Sequence, residues 1–201
     1  GGTHFGDWLA PDAPFGSYRG SSRDDFIASA FYAYSTELVV KAGRVLGKDV
    51  KAYEELLGRI HAAFRNEFSE FKQTECVLAA HFGLTDDIHA AADKLAEMIR
   101  DCGGHLETGF VGTPYLLYVL SDNGYTKLAY DLLLRTKYPS WLYPVTKGAT
   151  TVWEHWDGIT EDGTFWNSQM NSFNHYAYGA IGEWMYRAMA GIEADPEQPG
   201  F

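Results

Sequence analysis

Cysteine is scarce in this 201-residue chain: there are two, Cys76 and Cys102, in neither a CxxC nor a metal-ligand spacing. They read as buried free thiols and carry no compartment signal. Positive charge is short as well, with 16 Lys and Arg against 27 Asp and Glu, a formal net charge of -11. A polyanionic partner calls for a basic surface, so nucleic acid and anionic membrane surfaces are not expected partners. No apolar run approaches the roughly 20 residues that span a bilayer, and the opening "GGTHFGDWLA" does not read as a secretory signal. Alternation of the strand kind is missing too. What remains is 46% hydrophobic and only 21% charged, the composition of a packed core.

From Ser22 onward the pattern is helices separated by short stops. Ser22 and Asp25 have capping-box spacing, and Ile27, Phe31, Tyr34, Leu38, Val39, Ala42 and Val45 form an apolar stripe that Gly47 ends. Asp49 is placed to cap a second helix carrying Tyr53, Leu56, Leu57, Ile60 and Phe64 inward. "QTECVLAAHFG" predicts a shorter helix stopped at Gly83, and Asp86 opens another with Ile88, Ala91, Ala92, Leu95, Ile99 and Cys102 inward. Thr113-Pro114 starts a third pair, turned at Asn123-Gly124, with Thr126 as the cap of its second member. A last helix is expected from about 174 to 190, with Tyr178, Ile181, Met185 and Met189 as its stripe. Hairpin after hairpin predicts an all-α chain of the toroid or solenoid kind, although no repeat of fixed period is visible.

Residues 137–172 have no stable periodicity, yet hold four of the six tryptophans, Trp141, Trp153, Trp156 and Trp166. Long irregular segments in compact domains are usually functional or disordered, and this one is too aromatic for disorder. Within "VWEHWDG", Glu154 lies between Trp153 and Trp156. Flat aromatic faces beside carboxylates suit a sugar, whose C–H face packs on indole while its hydroxyls bond to charged groups. Glycosidic hydrolysis needs two carboxyl groups flanking the bond, and Glu154 is a candidate acid or base. An ordinary packed loop and a metal or other ligand site remain open on spacing alone. Trp153 and Trp156 either line a pocket or brace Glu154. Asp157 either tunes Glu154 or caps the following turn, and His155 packs behind them. A metal triad from Glu154, His155 and Asp157 is not expected, because consecutive positions seldom converge on one ion.

"TGFVGTPYLLYVLSDNGYTKLAYDLLL", "YPSWLYPVTKGATTVWEHWDG", "MNSFNHYAYGAIGEWMYRAMAGI" and "FGDWLAP" together resemble the bacterial α-L-rhamnosidases of glycoside hydrolase family 78. The resemblance runs in order along nearly the whole chain. It implies the C-terminal part of a six-hairpin (α/α)6 barrel, over residues 1–201, that hydrolyses terminal α-L-rhamnosyl residues with inversion and no cofactor. It further implies Glu154 as the general base, His175 as a sugar contact, and Asp7 and Trp8 as a pair at the active-site mouth, the carboxylate binding hydroxyls and the indole packing on rhamnose. Without the resemblance, His175 reads as a helix-start residue and Asp7 with Trp8 as a turn.

Three departures qualify the carry-over. The family's general acid lies upstream of "FGDW" and has no counterpart here; the connection within "NEFSEFKQTECVL" is short; and Glu107 stands where a small uncharged residue is expected. Both ends are expected to be truncated relative to a full enzyme. The expected partners are a rhamnose-containing carbohydrate and either the N-terminal half of the barrel or a second copy, since an incomplete toroid exposes apolar edges. A carbohydrate-binding or scaffold fragment without turnover, or another α-toroid enzyme, are the competing readings.

Overall fold

In the computed structural model residues 4–195 are described. Helices dominate, and β pairing among the described residues is confined to two isolated bridges, Trp8 with Arg19 and Ile159 with Phe165. The chain divides into two compact units, Gly1–Met98 with Glu107–Gly112, and Ile99–Leu106 with Thr113–Phe201. No helix among the described residues is long and apolar enough to cross a membrane.

In the first unit, α1 (Asp24–Val45) and α2 (Lys51–Glu67) pack as a pair, and α3 (Gln73–His81) lies against α1. Asp24 and Asp25 in the first turn of α1 and Arg44 in its last suit the helix dipole. Gly47, at φ +63°, ends it in a conformation that costs a glycine little. The face turned inward is Phe26, Ile27, Ala30, Ala33, Thr36 and Val40. This corrects the expected stripe: Leu38 and Val39 are exposed, and Val45 is 87% exposed. The small side chains on the inward face let neighbouring helices approach closely, an advantage that a count of large apolar residues does not register.

Phe26 is the centre of that core, packed edge-on by Phe64, Phe68 and Phe71 with ring centroids 4.8, 4.9 and 5.5 Å away. Ser22 makes no cap for α1; the first-turn donor at Arg23 goes instead to Glu75 of α3, 2.9 Å away. Glu75 also accepts from the Lys72 amide at 3.0 Å, so one carboxylate satisfies backbone donors at the starts of both helices. Asp49 accepts from the Lys51 amide at the start of α2. α4 (Ile88–Asp101) is capped by Asp87, which accepts from the Ala90 amide at 2.8 Å, whereas Asp86 pairs with Arg65.

In the second unit, α5 (Thr113–Asp122) pairs with α6 (Thr126–Leu133), burying Leu116, Leu117, Leu120, Ala129 and Leu132. Thr126 is the first residue of α6 and not its cap. Between residues 137 and 172 the only helix is the five-residue α7 (Leu142–Thr146). The expected last helix is broken into a 3-10 turn (Ala177–Ala180), α8 (Ile181–Trp184) and a π turn (Met185–Met189). Each change of pitch rotates the side-chain register. Trp184 is therefore buried, donating from Nε1 to Ser121 Oγ at 3.1 Å, while Met185 and Met189 are each 41% exposed.

Truncating Phe26 removes the ring on which three others pack. Phe26→Ala is expected to destabilise the first unit by about 3–5 kcal/mol. A lowered urea midpoint at unchanged m-value is the measurement that checks it.

Candidate active site

Residues 151–154 run beside 172–175. The Glu154 amide donates to Ser172 O at 2.9 Å, and the His175 amide donates to Val152 O at 2.8 Å. The Ser172 amide then donates to Glu154 Oε2 at 2.9 Å, so one carboxylate oxygen is pinned by the segment alongside it. No other hydrogen bond or ion pair reaches this half-buried carboxylate among the described residues, which leaves Oε1 open to a ligand or water. Glu154 lies close enough to His155 for its charge to act on that imidazole. The imidazole Nδ1 of His175 accepts from the Ala177 amide at 3.3 Å, ahead of the 3-10 turn.

The tryptophans brace this segment. Trp156, 4% exposed, stacks on Tyr178 at 3.7 Å and meets Trp141 edge-on at 5.3 Å; Trp153, 5% exposed, meets Phe173 edge-on at 4.9 Å. Trp141 Nε1 donates to Tyr178 O at 2.9 Å and fixes the cluster to the backbone. Trp141, Trp153, Trp156, Tyr178, Val145 and Val152 line a cavity of about 330 Å³, and Glu154 is not among its lining residues.

His155 stacks on Trp166 at 3.8 Å, and its burial, the largest influence, holds its pKa below the usual histidine value. Burial raises the Asp157 carboxyl. Asp157 lies inside the turn that Gly158 N–H closes by donating to His155 O, and its charge, second to burial, raises the Tyr143 hydroxyl. Among the described residues no three His, Cys, Asp or Glu side chains are grouped so as to hold a metal ion.

Asp7 and Trp8 belong to the first unit. Asp7 is 0% exposed: Oδ1 accepts from the Val111 and Gly112 amides at 2.7 and 3.3 Å, and Oδ2 from the Gly109 amide at 2.7 Å and the Thr74 hydroxyl. Both oxygens of this carboxylate are thus taken up by internal donors. Burial nonetheless pushes its pKa up, with these four bonds opposing. The Trp8 indole is half-buried, flanked by Phe5 at 5.3 Å and Tyr18 at 5.4 Å. Glu107 is accommodated locally by Gln73, whose Oε1 accepts from the Glu107 amide at 2.9 Å. Ser172 was not singled out in the sequence, because its contribution is a backbone amide that side-chain chemistry does not announce.

Paired helices, no sheet among the described residues, and a glutamate set among aromatic residues on a long irregular segment define a helical-hairpin domain. The chain belongs to the bacterial alpha-L-rhamnosidase six-hairpin glycosidase domain family, which it matches over residues 1–189. It is 45% identical over 197 residues to an alpha-L-rhamnosidase of Streptomyces avermitilis, covering 94% of this chain and 18% of that protein. An alpha-L-rhamnosidase of Formosa agariphila is 41% identical over 98% of this chain and 22% of its own length. The solved S. avermitilis alpha-L-rhamnosidase complexed with L-rhamnose superposes with a TM-score of 0.90 at 42% identity, over 99% of this chain and 19% of that one. The alpha-L-rhamnosidase of Aspergillus terreus gives 0.91 at 30% identity, over 98% and 24%. This chain thus spans about a fifth of the length of these relatives. Its hairpins are part of an (α/α)6 toroid.

With His155 held neutral by burial, the unfolded chain takes up the proton first as pH falls. Stability present above about pH 6.5 is therefore lost below it, through the lower folded value. His61, also lowered by burial, contributes a second such slope. His155→Phe keeps a ring on Trp166 and is expected to flatten, without abolishing, the fall in Tm between about pH 6.5 and 5. Parallel Tm profiles for the two proteins would refute this.

Proposed function

We propose that the chain is the C-terminal portion of a six-hairpin catalytic domain that hydrolyses terminal α-L-rhamnosyl residues with inversion, and that Glu154 is its general base. The observation that carries this reading is the unequal state of the two Glu154 oxygens: Oε2 is pinned by the Ser172 amide, and Oε1 has no partner among the described residues. A base needs a fixed direction and a free lone pair, and this arrangement supplies both. The L-rhamnose in the S. avermitilis complex supports the choice of sugar.

His175, held beside Val152, is assigned to substrate hydroxyls, and Trp8 to the apolar face of the sugar. Trp153 and Trp156 hold the backbone of Glu154 in place. Inversion requires a proton donor on the far side of the glycosidic bond, with roughly 6.5–9.5 Å between the carboxyl groups to admit water. That donor is assigned to no carboxylate of this chain. Asp7 is enclosed by internal donors, and Asp157 sits beside phenols. For residues 1–201 alone, the same geometry supports rhamnose binding without turnover.

Hydrolysis of an aryl α-L-rhamnoside by the intact protein tests the assignment. Glu154→Gln is expected to lower kcat about 10²–10⁴-fold while rhamnose still binds. A variant with near-native kcat, or cleavage of a different glycoside from a substrate panel, would defeat it.

The exposed Leu38, Val39, Val45 and Leu46, and the groove between α1 and α2, where Tyr32, Leu56, Ile60 and Phe64 are rimmed by Asp25, Arg59 and Glu67, support association with the N-terminal half of the barrel or with a second copy. Analytical ultracentrifugation of residues 1–201 alone is expected to show species larger than 22.5 kDa. A single monomeric boundary at all concentrations is the contrary result.

A further inference from the structure

Asp7 is the carboxylate that the proposed chemistry leaves unused, and it is also the most completely enclosed. It receives three backbone amides from one loop, Gly109, Val111 and Gly112, together with the Thr74 hydroxyl from α3. Three of these four bonds are buried and the Val111 bond is part-buried, so the donors bond the carboxylate largely shielded from water.

The same loop is bonded to the residue that follows. The Phe110 amide donates to Trp8 O at 2.9 Å, and a Cβ on Gly109 would stand 2.4 Å from that oxygen and 2.8 Å from Asp7 Oδ1. Approach this close is possible only because position 109 has no side chain. Directly after Trp8, Leu9 takes φ 55°, the left-handed region that an L side chain enters only at a cost. A conformation of that kind persists where its surroundings over-determine it. Here the surroundings are the Leu9 amide bonded to Tyr18 O at 2.6 Å, the Gly20 amide bonded to Asp7 O at 2.8 Å, and the clasp on the Asp7 carboxylate.

We propose that Asp7 is a positioning residue for Trp8: its carboxylate locks the Thr108–Gly112 loop onto the backbone of residues 7–9 and so holds the half-buried indole in a single orientation. The consequence for sugar binding rests on the rhamnosidase reading; the effect on the indole does not. A Trp8 fixed in advance meets a sugar face without first losing rotamer freedom, which is the advantage of a pre-organised wall over a mobile one.

The experiment uses the intact protein labelled with 5-fluorotryptophan, with the Trp8 resonance assigned by its loss in Trp8→Phe. Asp7→Asn and Thr74→Val, which removes one of the four donors, are expected to shift or split the Trp8 fluorine signal while those of Trp153, Trp156 and Trp184 stay in place. Rhamnose titrated into the same variants is expected to bind at least tenfold more weakly, and hydrolysis of an aryl α-L-rhamnoside is expected to show KM rising more than kcat falls. Should Asp7→Asn not fold, Thr74→Val alone decides.

An unchanged Trp8 signal overturns the proposal, as does displacement of all the tryptophan signals together, the mark of a merely structural role. A displaced Trp8 with native rhamnose affinity overturns its link to the sugar. If the unmutated protein binds no rhamnose, the rhamnosidase reading fails, and the fluorine signal still decides the role of Asp7.

Discussion

A chain with this much irregular backbone must find acceptors for amides that no helix satisfies, and here carboxylates supply several of the decisive ones. Asp7 accepts from Gly109, Val111 and Gly112; Glu75 accepts from Arg23 and Lys72; Glu154 accepts from Ser172. Each links a segment to another remote in sequence or fixes the first turn of a helix. The charge is what makes the link firm, since a carboxylate accepts more strongly than a neutral oxygen and has room for several donors. Replacing Asp7 with an apolar group would strand the buried Gly109 and Gly112 amides.

The three carboxylates differ in how completely they are used. Asp7 is saturated and fully buried, Glu75 is buried and shared between two helix starts and the Arg23 side chain, and Glu154 gives up one oxygen and keeps the other. Of the three, only Glu154 keeps an oxygen without an internal donor among the described residues. A carboxylate with no fixed partner would lack direction, and one with four would lack a lone pair. The half-satisfied state is what the proposed proton acceptor requires, and it distinguishes Glu154 from Asp7 and Glu75 without any appeal to its place in a motif.

Much of the helix order was legible because its stops are chemical: Gly47, Gly83 and Gly124 all take positive φ, and Pro114 sits in the first turn of α5. Faces were less legible than boundaries. The inward side of α1 is marked by Ala30 and Ala33, which yield close packing in place of transferred area, so a stripe of large residues pointed the wrong way. The last helix misled for a different reason, since changes of pitch at residues 177–189 break the 3.6-residue period on which any stripe depends. At the site, Glu154 could be singled out by its aromatic setting. Asp7 could be singled out as well, but not its enclosure, because its donors come from residues about a hundred positions away.

The irregular segment around Glu154 owes its definition to rings. Backbone ladders order a strand or a helix by repetition, and residues 147–172 have neither. What they have is Trp156 against Tyr178, Trp153 against Phe173 and His155 against Trp166, each contact tying the segment to a flat, rigid partner with few rotamers to lose. Aromatic residues at positions 153, 155 and 156 leave position 154 alone among them without a ring to cover it. The side chain among them without a ring is the half-buried carboxylate, kept in place by the Ser172 amide and by the burial of its neighbours.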